Sequence, residues 1–202
     1  IINSGAGNDV IFAIGGTNTI YAGSAADTIY GGTGVDIIFG EEGNDYIFAS
    51  AGADIIDGGA NSDLVDYSSS STGINLTLLD SGATVNVSHN IGGVASDSLT
   101  NIEGIKGSTT ASNTLIGNNM NNTLIGGDQT DTIKGVSGNN SLSGGAGNDT
   151  IFAGSGSDTI DGGAGDDWLD YTDLASTNVS VNLRNNTATY GSSTDSITAI
   201  EH

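Results

Sequence analysis

The sequence contains no cysteine, and only 3 of its 202 residues are Lys or Arg, against 24 Asp and Glu. The absence of cysteine excludes disulfide bonds and metal sites built on thiolates. The formal net charge of -21 is unsuited to nucleic acid or anionic membranes, because both are bound through Lys- and Arg-rich surfaces. A chain this acidic needs counterions to become compact, so we expect cations to be its first partners.

Aromatic residues and long apolar runs are also scarce. No run approaches the ~20 apolar residues of a membrane-spanning helix, so we expect no membrane insertion, and no signal peptide is visible. With 5% aromatic and 36% hydrophobic residues, a thick conventional core is difficult to build. Ile, Leu, Val, Thr and Tyr nevertheless recur in short runs between 33 glycines, which indicates many short strands rather than disorder.

The short runs follow a period of nine residues. Seven gapless turns run from Ser4 to Asp66, and seven more run from Ser108 to Asp170. In all fourteen turns the sixth position is Asp or Asn and the eighth is Ile, Leu or Val. GGTGVDIIF (31–39) is a representative turn. Such regularity over more than half of the chain indicates a repeat architecture.

This pattern resembles the consensus GGxGxDxUx of the RTX, or hemolysin-type, calcium-binding nonapeptide family, in which U is a large aliphatic residue. The resemblance implies an all-β fold, a parallel β-roll or β-helix solenoid. Positions one to six of each nonapeptide would form a turn and positions seven to nine a short strand. Two nonapeptides would complete one coil of eighteen residues, so that each turn stacks on the turn eighteen residues later.

The repeat divides the chain into four predicted parts. Block 1 covers residues 1–66 and block 2 covers residues 108–170, each with seven nonapeptides. Residues 67–107 form a first spacer and residues 171–202 a second spacer or junction. Both spacers contain alternating apolar residues, so we expect irregular coils that continue the solenoid.

The resemblance further implies that each Ca²⁺ ion is shared between Asp residues eighteen positions apart. Calcium binds six to eight oxygens at roughly 2.3–2.6 Å, which two stacked turns can supply and a single turn cannot. We expect about six or more ions, because six pairs consist of two Asp residues: 9/27, 27/45, 45/63, 36/54, 131/149 and 149/167. The predicted carboxylate ligands are Asp9, Asp27, Asp36, Asp45, Asp54, Asp63, Asp131, Asp149, Asp158 and Asp167.

Glycine at positions one, two and four lets the backbone adopt positive φ and bring carbonyl groups close to an ion. The predicted backbone ligands are Gly31, Gly32, Gly34, Gly40, Gly43, Gly58, Gly144, Gly145, Gly147, Gly162, Gly163 and Gly165. Weaker sites are predicted where the neutral oxygen of Asn18, Asn113 or Asn140 replaces a carboxylate. Asn122 and Asn140 are expected to stack as an amide ladder without an ion. A purely structural role stays open for any single turn, because Asp and Gly favour turns by themselves.

The two spacers end in related segments, DSLTNIE (97–103) and DSITAIE (195–201). The acidic residues of these segments could ligate further ions, but we favour a plain turn or cap role. Joining His202 to Ile1 would give IEHIINS, which parallels IEGIKGS at residues 102–108. With Ile1 in place of Met, we expect a fragment or processed product that forms one period of a tandem or head-to-tail array.

Position nine of block 1 carries a row of aromatic side chains, which are Phe12, Tyr21, Tyr30, Phe39 and Phe48. On a roll these rings would stack on the outside of both sheets. Two interpretations stay open. The row can reflect the general preference of strands for aromatic residues, or it can be a surface for lateral packing against a second copy of the chain.

The resemblance implies a non-catalytic structural module outside the cell or on a bacterial cell surface: a stalk, surface-layer, adhesin or filament segment. Such chains leave the cell by type I secretion and fold when calcium binds. Only position eight is expected to be fully buried, so burial is thin and folding should depend on the metal. The alternative is an appendage that aids secretion, folding or substrate binding of an RTX enzyme such as a protease, lipase or alginate epimerase. We expect no catalysis by the chain itself, since its two histidines, His89 and His202, lie in the spacers.

Overall fold

The structure is a computed structural model that describes residues 1–174 and 178–202 of the chain. Within these ranges it forms 22 β-strands and no helix, which confirms the predicted all-β class. The described residues accordingly contain no helix with the length and hydropathy to cross a membrane. Residues 175–177, which belong to the predicted second spacer, lie outside the described ranges.

Block 1 contains eight short strands, of which the first begins at Ile2 and the other seven each begin at position seven of a nonapeptide. These strands are β1 (Ile2–Ala6), β2 (Val10–Phe12), β3 (Thr19–Ser24), β4 (Thr28–Tyr30), β5 (Ile37–Glu42), β6 (Tyr46–Phe48), β7 (Ile55–Ala60) and β8 (Leu64–Asp66). Neighbouring strands within a sheet are parallel and eighteen residues apart, as in the pairing of Ile2 with Ile20 and of Ile11 with Ile29. The predicted coil of two nonapeptides is therefore confirmed.

The first spacer supplies four strands, and block 2 supplies seven. The spacer strands are β9 (Asn75–Thr77), β10 (Thr84–Asn90), β11 (Val94–Thr100) and β12 (Gly104–Lys106). The block 2 strands are β13 (Thr114–Ile116), β14 (Thr123–Gly127), β15 (Thr132–Lys134), β16 (Ser141–Ala146), β17 (Thr150–Phe152), β18 (Thr159–Ala164) and β19 (Trp168–Asp170). The last strands are β20 (Ser180–Asn182), β21 (Thr187–Tyr190) and β22 (Ser193–Thr198).

These strands form three sheets. The six-stranded sheet has the order β1-β3-β5-β7-β11-β10, and the five-stranded sheet has the order β19-β17-β15-β13-β9. The eleven-stranded sheet has the order β2-β4-β6-β8-β12-β14-β16-β18-β22-β21-β20, so it runs through both blocks. Strand β12 joins the blocks, because it pairs with β8 on one side and with β14 on the other.

The spacers also form antiparallel pairs that the nonapeptide pattern does not predict. Strand β10 pairs antiparallel with β11, and β11 extends the six-stranded sheet by pairing with β7. In the second spacer, β21 pairs antiparallel with β22, which extends the eleven-stranded sheet beyond β18. Each spacer therefore places a hairpin at the end of a sheet built from its block.

The core is a stack of aliphatic side chains at position eight. Ile20, Ile29, Ile38 and Ile47 are at most 1% exposed, and their equivalents in block 2 are buried in the same way except for Leu169 in the last turn, which is partly buried. The expectation that only position eight is fully buried is wrong. In turn 31–39 the residues at positions one and six are buried as well. The small residue at position one allows the turn to pack against the core, and the Asp at position six points inward rather than to solvent.

We predict that Ile56→Ala lowers the free energy of unfolding in saturating calcium by about 2–5 kcal/mol, because it leaves a cavity in the stack. Ile56 is 1% exposed and lies between Ile38 and Leu99. The matched control is Ile55→Ala on the same strand, where the side chain is 50% exposed and the expected loss is about 1 kcal/mol or less. Denaturant unfolding measures both variants, and equal losses would contradict the assigned register.

Candidate metal centres

The Asp and Asn side chains at position six form rows that run from coil to coil. In the first row, the backbone N–H of Asp9 donates to Oδ1 of Asp27, with 2.7 Å between the two atoms. Asp27 donates in the same way to Asp45, and Asp45 to Asp63, both at 2.8 Å. Each carboxylate therefore bridges its own turn and the turn eighteen residues earlier. We call one such bridged pair a rung.

The other predicted pairs form rungs with the same geometry. They are Asn18–Asp36 and Asp36–Asp54 beside the six-stranded sheet, Asn113–Asp131, Asp131–Asp149 and Asp149–Asp167 beside the five-stranded sheet, and Asn122–Asn140 and Asn140–Asp158 beside the eleven-stranded sheet. The structure thus brings together each predicted pair. In each rung, one oxygen of the later residue's side chain accepts the backbone N–H of the earlier residue. The second oxygen of each carboxylate remains to be described.

The second carboxylate oxygen is buried and has no hydrogen-bond partner in nine of the ten predicted Asp ligands. These free Oδ2 atoms belong to Asp9, Asp27, Asp36, Asp45, Asp63, Asp131, Asp149, Asp158 and Asp167. The exception is Asp54, whose Oδ2 accepts a hydrogen bond of 2.9 Å from Ser50 Oγ. A buried, unpaired carboxylate oxygen is costly, and a bound cation removes that cost. The donor set of the rungs therefore fits a metal ion.

In several turns a glycine at position one leaves space beside the free oxygen. A Cβ atom added to Gly40 would overlap both Asp45 Oδ2 and the carbonyl oxygen of Gly58 in the next coil. The same arrangement recurs at Gly126 and Gly144. A carboxylate oxygen and a carbonyl oxygen from two successive coils thus converge beside a residue without a side chain. Both are the hard oxygen donors that calcium prefers.

The other predicted backbone ligands shape the turn. Gly32 and Gly34 have φ values of 87° and 115°, and a Cβ on Gly32 would overlap the carbonyl oxygen of Ala13. Gly43, Gly145, Gly147, Gly163 and Gly165 likewise have positive φ, whereas Gly31, Gly58 and Gly162 occupy buried position one. Ala25 and Asn61 keep positive φ, 85° and 88°, where the consensus has glycine at position four. The turn therefore keeps its shape at these two positions, whereas Ala111, Met120 and Gln129 of block 2 replace the same glycine without positive φ.

The Asn-containing rungs differ in charge from the all-Asp rungs. Nδ2 of Asn18 donates to Asp36 Oδ1 at 3.0 Å, and Nδ2 of Asn113 donates to Asp131 Oδ1 at 2.8 Å. Nδ2 of Asn140 donates in the same way to Asp158. These amide donors already stabilise part of the carboxylate charge, which supports the prediction of weaker metal binding at these rungs.

Burial raises the pKa of several rung carboxylates. It raises the pKa of Asp45 and Asp149 to about 6 and that of Asp63 to about 7, while backbone hydrogen bonds lower these values in part and neighbouring carboxylates raise them further. Asp54 and Asp158 also reach about 6, with burial as the main cause. The ionised form of these carboxyl groups is therefore unfavourable in a metal-free rung, and a bound divalent cation would stabilise it.

The ends of the rows lie in the spacers. Asp97 Oδ1 accepts the N–H of Asp54 at 2.8 Å, and Glu103 Oε2 accepts the N–H of Asp63 at 3.1 Å. The second spacer repeats this with Asp195 and Asp158 at 2.9 Å, and with Glu201 and Asp167 at 2.9 Å. Sequence reasoning favoured a turn or cap role for these four acids. The repeated DSxTxIE segment was the only sequence feature that pointed to these acids. It does not show which Asp each acid contacts, because the contacts span 34 to 43 residues and follow no period.

The predicted aromatic row forms as two stacks on the outer faces. Phe12 stacks on Tyr30 and Tyr30 on Phe48, with ring centroids 4.6 and 4.3 Å apart. Tyr21 stacks on Phe39 at 5.0 Å on the other sheet. The rings cover one another's faces, and exposure is greatest at Phe12, which is 64% exposed.

Comparisons with known proteins agree with this geometry. A family model described as the RTX calcium-binding nonapeptide repeat (4 copies) matches residues 1–29, 12–47, 30–65, 108–142 and 134–169. No curated protein matches the chain. Among solved structures, the crystal structure of extracellular lipase LipA from Serratia marcescens is similar, with 18% sequence identity and a TM-score of 0.34. That alignment covers 90% of this chain and 37% of the lipase chain, so this chain spans well under half of the lipase.

We predict that acidification stabilises the metal-free chain. Burial raises the pKa of Asp45 to about 6 and that of Asp63 to about 7 in the folded chain, whereas the pKa of an Asp in an unfolded chain is near 3.9. The folded state therefore binds more protons between about pH 4 and pH 7, and its stability falls as pH rises through that window. In calcium-depleted buffer, far-UV circular dichroism should show more β structure at pH 5 than at pH 8. A metal-free chain that is more stable at pH 8 would contradict the burial of these carboxyl groups.

Proposed function

The chain belongs to the RTX calcium-binding nonapeptide repeat family, and from this premise we propose that it is a non-catalytic, extracellular structural module. In this proposal it is a stalk, surface-layer, adhesin or filament segment that folds when Ca²⁺ binds between stacked turns. The calcium-binding repeat itself follows from family membership. The structural role, the location outside the cell and the assembly are the proposed part.

One observation carries the proposal, namely the series of buried Oδ2 atoms without a hydrogen-bond partner. Asp27, Asp45 and Asp149 each lie between two other Asp residues in their rows. Without a cation, each row would hold several buried negative charges about one strand spacing, ~4.8 Å, apart. Calcium would supply positive charge and a coordination shell that accepts carboxylate and carbonyl oxygens together.

Location outside the cell is proposed because folding would then coincide with the availability of calcium. A chain with a net charge of -21 repels itself in the compact state when cations are scarce. Metal that binds only the folded state stabilises it by mass action. We therefore propose export of the open chain by type I secretion, followed by folding where calcium is abundant at or beyond the bacterial surface.

Self-association is the proposed form of partnership. The stacks Phe12–Tyr30–Phe48 and Tyr21–Phe39 are apolar strips on outer faces, and strips of this kind favour lateral contact with a second copy. Head-to-tail stacking of copies is the second proposed form of self-association.

We predict that calcium converts the chain from a largely unfolded to a β-rich state. Far-UV circular dichroism during a calcium titration at pH 7.5 should show a cooperative gain of β structure, and excess EGTA should reverse it. The physical reason is that ion binding removes the charge repulsion between rung carboxylates. A chain that is already β-rich in EGTA would contradict calcium-dependent folding. Magnesium provides the ion control, because it prefers a smaller octahedral shell with retained waters.

Two variants separate specific binding from general charge screening. Asp45→Asn keeps an oxygen for the N–H of Asp27 but removes charge from two adjacent rungs, so the midpoint of the calcium titration should rise by about tenfold, consistent with the dependence of affinity on ligand charge. Asp161→Asn removes the same charge from an exposed position nine, outside the rows, and should leave the midpoint nearly unchanged. Equal shifts in both variants would favour nonspecific screening.

A further inference from the structure

The acidic row of block 1 in the eleven-stranded sheet ends on a segment that is not a nonapeptide turn. Residues 101–103 lead directly into β12, the strand that follows β8 in the sheet. Glu103 Oε2 accepts the N–H of Asp63, just as Asp63 Oδ1 accepts the N–H of Asp45. The glutamate, with its longer side chain, thus takes the place of a position-six Asp on a much shorter turn.

The remaining oxygens of a rung are present at this position as well. Asp63 is 1% exposed, and its Oδ2 has no hydrogen-bond partner. A Cβ added to Gly58 would overlap the carbonyl oxygen of Asn101 and lie within 2.5 Å of Asp63 Oδ2. At Gly40, inside the block, the corresponding two atoms are the carbonyl oxygen of Gly58 and Asp45 Oδ2. Asn101 therefore presents its carbonyl group where the next glycine turn would present its own.

The second spacer reproduces this arrangement independently. Glu201 Oε2 accepts the N–H of Asp167, which is fully buried and has a free Oδ2. A Cβ added to Gly162 would meet both Asp167 Oδ2 and the carbonyl oxygen of Ala199. Ala199 has a φ of 48° and Asn101 a φ of 50°, so both carbonyl groups are oriented by the same left-handed backbone conformation.

The rows that end on aspartate have a different chemistry. Asp97 Oδ1 accepts hydrogen bonds from Asp54 N and lies 3.1 Å from His89 Nε2, and its Oδ2 accepts the hydroxyl of Tyr67 at 2.9 Å. Both oxygens of Asp195 are likewise occupied, because Tyr171 donates to Oδ2 at 2.8 Å and the N–H of Asp158 donates to Oδ1 at 2.9 Å. Protein donors therefore occupy both oxygens at the aspartate ends, and Asp54 has no free oxygen either.

A cleft of about 570 Å³ opens beside Glu103, between the last turn of block 1 and an early turn of block 2. It exists because the short segment 101–103 does not fill the space of a complete nonapeptide turn. Its lining consists of Asn61, Ser62, Glu103, Asn119, Met120 and Asn121. An ion at this rung could thus reach the site from solvent and complete its shell with water, as calcium commonly does.

We propose that Asp63 with Glu103, and Asp167 with Glu201, form two calcium sites, each shared between the last nonapeptide turn of a block and the spacer that follows it. This inference rests on the proposed function, because it extends calcium binding from the repeat to the spacers. The first site has a structural consequence. Glu103 directly precedes β12, and β12 pairs with both β8 and β14. An ion held by Asp63 and Glu103 would therefore link the end of block 1 to the strand on which block 2 is assembled.

The test is to count calcium ions on the full chain by equilibrium dialysis with elemental analysis at saturating calcium. Glu103→Gln keeps an oxygen to accept the N–H of Asp63 but loses the charge, so it should bind one ion fewer than the unmodified chain. Glu201→Gln should also lose one ion, and the double variant two. Glu42→Gln makes the same substitution at an exposed turn position and should leave the count unchanged.

The possible outcomes separate the inference from the proposed function. An unchanged ion count in both Glu103→Gln and Glu201→Gln would overturn the inference while leaving calcium binding by the repeats intact. An unmodified chain without bound calcium would instead refute the proposed function. If Glu103→Gln fails to fold, as judged by circular dichroism, the count for Glu201→Gln decides. Loss of one ion there supports the inference, and an unchanged count refutes it.

Discussion

The rung that joins two position-six carboxylates is the interaction on which the rest of the structure depends. From the second coil of a row onward, one oxygen of each Asp accepts a backbone N–H from the preceding coil, and the other oxygen is buried without a partner except at Asp54. The first contact sets the register of eighteen residues between coils. The second makes that register unfavourable unless a cation is present, because unpaired buried charge is costly. The same side chain therefore specifies the register between coils and, in the proposed function, makes folding depend on the metal.

The other features of the repeat follow from accommodating this rung. Position one is small because the carboxylate and the carbonyl group of the next coil converge on it, as at Gly144 with Asp149. Position eight is a branched aliphatic residue because it fills most of the interior between the sheets. The aromatic rings at position nine stack outside, where they contribute cross-strand contacts.

The periodic part of the molecule was predictable in detail, because stacking makes each residue's environment a function of its position in the repeat. The strand register, the aliphatic core and the juxtaposition of Asp9 with Asp27 follow from a period of nine and a coil of eighteen. Burial of position six was missed, since an Asp in a glycine-rich turn usually faces solvent. The hydrogen bond from Ser50 to Asp54 was also missed, because nothing in the sequence indicates that the hydroxyl of Ser50 faces inward.

The spacers were less predictable because they lack a period. The contact of Tyr67 with Asp97 joins residues 30 positions apart, and it depends on a hairpin whose register no repeat specifies. The recurrence of DSxTxIE could have indicated a common role, but only the fold shows that the Asp and the Glu of each segment end two different rows.

The most direct test of the central claim is to locate the ions themselves. Anomalous X-ray scattering from crystals grown in calcium should show peaks within about 2.3–2.6 Å of Oδ2 atoms along the rows, with a carbonyl oxygen of the next coil in the same shell. Asp27, Asp45 and Asp149 are the first positions to inspect, since their Oδ2 atoms are free. If these oxygens instead contact only water or protein donors, and no peak lies beside them, the rungs do not depend on calcium.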